Sequence, residues 1–172
     1  TGLAAANFAA LNAWHLLHLE PISAGLKSPD GRLSGYSGEE IRAWLAALGE
    51  TGRSDFLFWH TALLDRIFPA LLSLALAMLF IKAGRQFPRF ASVNAAWQWA
   101  IAAFLVLPYM LADYAENSAV AAMVRDPALA IDASVANVSA LTALKWGFVA
   151  TALIVPTALG LMGRLKNRSP RP

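Results

Sequence analysis

The chain has 172 residues, 58% hydrophobic and only 15% charged, with a mean hydropathy of +0.50. Soluble domains carry about 25% charged residues, so this composition excludes an ordinary water-soluble globule and points to lipid as the solvent. A formal charge of +3 is no sign of nucleic acid, because Lys and Arg collect just outside apolar runs, and the lack of Cys excludes disulfides, thiolate metal sites and cysteine nucleophiles.

Four apolar segments follow one another, with spans expected at about 3–20, 58–82, 94–117 and 138–163. Crossing a hydrocarbon core of ~30 Å takes about 20 helical residues, which the last three supply. The first is short and carries Asn7, Asn12, His15 and His18; residues before Thr1 are expected to lengthen it. The expected fold is all-α, a transmembrane four-helix bundle forming a single integral membrane domain over 1–172.

Pro21 ends the first helix, and Ser28-Pro29-Asp30-Gly31 reads as a turn in a polar loop. Ser37 and Glu40 have capping-box spacing, and Ile41, Trp44, Leu45 and Leu48 follow at i, i+3, i+4, i+7. This predicts a short amphipathic helix over about 37–49 in the first outer loop, lying at the interface or capping the bundle. The second span holds Pro69, the third Pro108 and the fourth Pro156, where bends are expected. The third helix is expected to continue beyond the membrane toward Val124, stopped by Pro127, with 128–137 as a linker.

Lys82, Arg85 and Arg89 fill a loop without acids, and Arg164, Lys166, Arg168 and Arg171 form a basic tail. Both belong on the cytoplasmic side, whereas the first and third loops mix signs and belong outside. The expected location is therefore the bacterial inner (cytoplasmic) membrane, multi-pass, with cytoplasmic N- and C-termini.

Depth follows from the helical rise. Asp65 lies ~25 Å from Lys82, Asp113 ~27 Å from Ala95 and Lys145 ~28 Å from Arg164, at about 1.5 Å per residue. Three charged residues on three helices thus share one level near the outer edge. On the third helix Tyr109, Asp113, Glu116 and Asn117 fall on one face, which should point into the bundle because ionisable groups avoid lipid. The simplest pairing joins Asp113 or Glu116 to Lys145, and Asp65 to Arg66 or to a neighbouring helix. Interhelical hydrogen bonding is the plain account of such residues, and a binding or catalytic cluster is the functional one.

His15 and His18, three apart, can face one side and with Glu20 or His60 ligate a metal or hold a haem or chlorin. A His-x-x-His pair alone is a weak signal, so the cofactor stays unknown. Trp14, Trp59, Trp97, Trp99 and Trp146 lie near span ends and read as aromatic belts. No glycine-rich phosphate loop, H-E-x-x-H or G-x-S-x-G pattern is present, and no catalytic residue is assigned.

Gly35-Tyr36-Ser37-Gly38-Glu39-Glu40, Leu48-Gly49-Glu50-Thr51-Gly52-Arg53, Asp65-Arg66-Ile67-Phe68-Pro69, Asp113-Tyr114-Ala115-Glu116-Asn117 and Leu144-Lys145-Trp146 together resemble a family of small four-span bacterial membrane proteins of uncharacterised function. The resemblance implies a four-helix bundle whose outer loop packs over the polar layer, and brings no activity with it. The expected role is a non-catalytic accessory or structural subunit. It would dock with other membrane protein subunits in a larger inner-membrane assembly, energy-transducing, respiratory or photosynthetic. The alternative is an enzyme or binder for a lipid, isoprenoid or quinone, using the polar cluster. An ion carrier is disfavoured, since it needs acids near the midplane. The lipid bilayer is a partner in every case, and nucleic acid in none.

Overall fold

The computed structural model describes residues 2–168; Arg171 of the basic tail lies outside them. Among these residues every regular element is helical. The order is α1 (Gly2–Trp14), a π-helical turn (His15–Leu19), α2 (Glu20–Ile22), a 3-10 turn (Pro29–Gly31), α3 (Gly38–Asp55), a π-helical stretch (Phe56–Leu64), α4 (Asp65–Gly84), α5 (Pro88–Ala91), α6 (Ala95–Arg125), a 3-10 turn (Pro127–Leu129) and α7 (Asp132–Arg168).

Three helices are long and apolar enough to cross a membrane: Gly38–Gly84, Ala95–Arg125 and Asp132–Leu165. Helix α1 packs against α4, but this first segment, with its asparagines and histidines, is not among those three. Helices α4, α6 and α7 pack on one another through a core of Leu76, Phe80, Ile81, Ala102, Val106 and Ala152. At one end of this core Gln98 accepts from Arg85 Nε at 2.8 Å and donates to the carbonyls of Phe90 and Val93, closing the 85–94 connection.

The other end is closed by α3. The capping box forms as its spacing predicts: Ser37 Oγ accepts from the Glu40 N–H, and the Ser37 N–H donates to Glu40 Oε2 at 2.7 Å. The apolar stripe Ile41, Trp44, Leu45 and Leu48 is buried against Leu19, Phe56, Val120, Val124 and Val135, so α3 caps the bundle rather than lying on lipid. Each such side chain contributes ~1.5–3 kcal/mol, and Trp44, with no exposed surface, anchors the cap.

The sequence places the end of this helix at Gly49, and the backbone does break there, at φ 62° and ψ −168°. Helix resumes at once, so the helix that carries the second apolar segment begins well before residue 58. That backbone region belongs almost solely to glycine, and open space surrounds the position, so a Cβ would meet strain rather than a clash. Gly49→Ala is expected to destabilise the protein by about 1–2 kcal/mol, read as a lower thermal midpoint in detergent.

One further boundary differs from expectation. Helix α7 starts at Asp132 instead of 138, because Asp132 and the Ala130 carbonyl are both held by Arg42 Nη1, at 2.8 and 3.0 Å. Pro69, Pro108 and Pro156 all sit inside helices that continue through them.

Candidate functional site

Depth counting puts Asp65, Asp113 and Lys145 at one level, and the structure joins them in one buried cluster. Lys145, from α7, is its hub: Nζ lies 2.9 Å from Asp113 Oδ1 and 2.5 Å from Glu116 Oε2, both on α6. Tyr109, one turn before Asp113, donates its hydroxyl to Asp113 Oδ2 at 3.3 Å. Asn117 reaches across to α4 and donates to Asp65 Oδ2 at 2.5 Å. All four polar residues of the α6 face are buried, as ionisable groups inside a bundle must be.

Two members of the cluster are absent from the sequence reading. Thr142, one turn before Lys145, donates to Glu116 Oε1 at 2.5 Å and to the Val138 carbonyl at 3.2 Å. Asp30, from the loop, dips between the helices. Its Oδ1 lies 3.2 Å from Lys145 Nζ and its Oδ2 lies 2.6 Å from His60 Nε2. Burial alone would push the Asp30 carboxyl up, but Lys145 and His60 outweigh it and hold the group well below the usual carboxylate range. The Ser-Pro-Asp-Gly turn was the only visible signal, and it resembles any solvated turn. What carries Asp30 inward is the packing of its neighbours, since Ser28 and Pro29 are buried and Ser28 Oγ contacts His15 Nδ1 at 3.2 Å.

Three expectations need correction. Arg66 does not pair with Asp65: its side chain is exposed and forms no ion pair among the described residues, while its carbonyl accepts from Tyr114 OH at 3.0 Å. Asp65 takes the other expected course and meets a neighbouring helix, through Asn117 of α6, with His60 Nε2 3.9 Å away. His15 and His18 do not share a face. They sit in the π-helical turn, where the wider turn splays residues three apart. His15 turns toward Ser28 and the His60 ring, 5.0 Å away, whereas His18 faces outward and contacts Asp55 at 3.0 Å. Glu20 does not join the cluster. Among the tryptophans, Trp59, Trp97 and Trp99 are exposed as a belt requires, but Trp146 faces inward.

Trp146 lines a cleft of about 680 Å³ between α1, α4 and α7, a volume typical of small-molecule sites. Its two ends differ in chemistry. One is walled by His15, Asp30, Asp65, Tyr109, Asp113 and Lys145. From there the wall becomes apolar, through Phe8, Leu11, Phe68, Leu72, Leu76 and Leu79. Asp65 and Leu79 are ~21 Å apart along α4 at the helical rise. Near the polar end, His15 Nε2 and Trp146 Nε1 are buried without a protein hydrogen-bond partner. Buried polar atoms are normally satisfied, so these two are available to whatever occupies the cleft.

No family model matches the chain, and neither a curated protein nor a solved structure does.

Proposed function

We propose that the protein is a membrane-embedded receptor for a single amphiphile of the lipid, isoprenoid or quinone class. In this reading the four helical segments form a four-helix bundle spanning a bacterial inner membrane, with the polar cluster toward the outer face. The amphiphile's apolar chain lies along α4, and its head reaches Tyr109, Trp146, His15 and the carboxylate–lysine cluster. The observation that carries the proposal is the cleft itself, polar at one end and apolar for the rest of its length. A packing network that served only to hold helices together would have no need of a groove beside it.

Extraction in mild detergent, followed by native mass spectrometry, tests this. The wild-type chain should retain one kind of amphiphile well above its share of the membrane. Ala5→Trp, at an exposed position on the cleft wall, should displace it while the chain stays folded. Retention of bulk lipid in proportion to its abundance, unchanged by Ala5→Trp, would sink the idea.

The second reading, an accessory subunit of a larger assembly, draws on exposed apolar side chains such as Phe104, Leu111 and Ile154. Lipid covers such faces as readily as a protein neighbour does. A chain that leaves gentle extraction without a stoichiometric partner ends that reading.

A further inference from the structure

His60 is 1% exposed, and its ring is held in place by stacking on Phe56, with centroids 4.3 Å apart and planes 13° from parallel. That stacking aims Nε2 at two carboxylates, Asp30 Oδ2 at 2.6 Å and Asp65 Oδ2 at 3.9 Å. The contact with Asp30 is close, yet it is not aligned as a hydrogen bond, and neither ring nitrogen, Nδ1 or Nε2, has a hydrogen-bond partner. One ligand atom from each of the three residues lies within 4.8 Å of the others.

We propose that Asp30, His60 and Asp65 form a binding site for a first-row divalent metal ion at the polar end of the cleft. An imidazole nitrogen and two carboxylate oxygens converging on one point are the donors such ions take, zinc and manganese among them. The charge balance agrees. Asp30, Asp65, Asp113 and Glu116 share this space with the Lys145 ammonium and with His60, and a bound cation would take the place of the His60 proton in compensating the buried carboxylates. The donors are also held by neighbouring side chains, Asp65 through Oδ2, the same oxygen that faces His60. Asn117 donates to Asp65, Lys145 takes the other oxygen of Asp30, and Phe56 fixes the His60 plane. Asp30 and Asp65 both line the cleft, so the coordination positions left free face the space assigned to the amphiphile's head. An ion there would bind a head-group oxygen and polarise it. The site comes from three different elements, the loop, the π-helical stretch and the start of α4, which is why no spacing in the sequence announces it.

The location of the ion's free face rests on the amphiphile reading; the ion itself does not, and one preparation separates the two. The full chain is stripped with a chelator in detergent, dialysed against micromolar zinc and analysed for metal by mass spectrometry, with retained amphiphile measured alongside. Close to one zinc per chain is expected, with affinity lowered about tenfold or more in His60→Gln and in Asp65→Asn, and unchanged in His18→Ala. Should either cluster variant fail to fold, cobalt replaces zinc in the wild-type chain. Visible absorption with imidazole character then supports the site, and the spectrum of hydrated cobalt overturns it. Zinc at a small fraction of an equivalent, or zinc that both folded variants keep, also overturns it. Amphiphile without metal ends this proposal alone, and metal without amphiphile ends only the receptor reading.

Discussion

Lys145→Met is expected to destabilise the protein by about 3–5 kcal/mol, the cost of leaving buried charge without its partner. Lys145 is 6% exposed, and its ammonium contacts Asp113 and Glu116 on α6 and Asp30 in the loop. It therefore ties α7 to α6 and both to the loop above them. Methionine keeps most of the stem's volume but leaves three carboxylates facing one another with no ammonium between them. The thermal midpoint in detergent should drop sharply, or the chain should fail to accumulate. The double variant Lys145→Met/Glu116→Gln separates charge from packing. If uncompensated charge is the cause, removing Glu116's charge recovers part of the loss, and the double variant is more stable than the single one. If the Lys145 stem matters only as filling, the second change makes matters worse. Lys145→Arg is not a conservative control, because a planar guanidinium does not fit contacts that converge on one nitrogen.

Depth was legible in the sequence, and rotation only where the helix stays α-helical. Helical rise is nearly constant, so counting from the span ends sufficed to place Asp65, Asp113 and Lys145 together. Likewise the i, i+3, i+4 spacing on α6 placed Tyr109, Asp113, Glu116 and Asn117 on a single buried face, because α6 is α-helical from end to end. Where the helix widens, the same arithmetic fails. His15 and His18 lie in one π-helical turn and His60 in another stretch, and there the angle per residue differs from the α-helical value. No local signal marks such wide turns, and they are often found at functional sites.

The loop was illegible for another reason. An acid in a Ser-Pro-Asp-Gly turn reads as solvated, and only long-range packing pulls it inward. Tyr36 shows the same logic: its N–H donates to Ser139 Oγ at 2.9 Å, across more than half the chain, pinning the loop to α7. The loop packs over the polar layer and supplies Asp30 to it. The cleft had no counterpart in the sequence at all. It arises where α1 stands beside α4 and α7, and such gaps follow from side-chain volumes summed over three helices.

Because Asp30 alone among the cluster residues belongs to a loop, its titration should release the loop and leave the helices packed. The acids Asp65, Asp113 and Glu116 share the cluster with it, and the cationic groups facing it are Lys145 from α7, His60 from the π-helical stretch and, further off, His15. These cationic groups hold the native carboxyl well below its ordinary value of about 3.9, which it regains once the loop undocks. A group with a depressed native value favours the docked state fully above the ordinary value and loses that contribution as pH falls toward the native one. Wild-type protection of residues 23–36 in hydrogen exchange is therefore expected to hold from pH 7 to about 4 and to weaken below it. Asp30→Asn removes the charge at every pH. It should cost about 2–3 kcal/mol of loop docking at neutral pH and flatten the acid response. A wild-type loop that loosens already near pH 6, or an Asp30→Asn loop as protected as the wild type, would show that the Asp30–Lys145 contact does not hold it. The same comparison bears on the cleft. Asp30 is part of its polar wall, so a loop released by acid or by Asp30→Asn should let a bound amphiphile go while α4, α6 and α7 keep their packing.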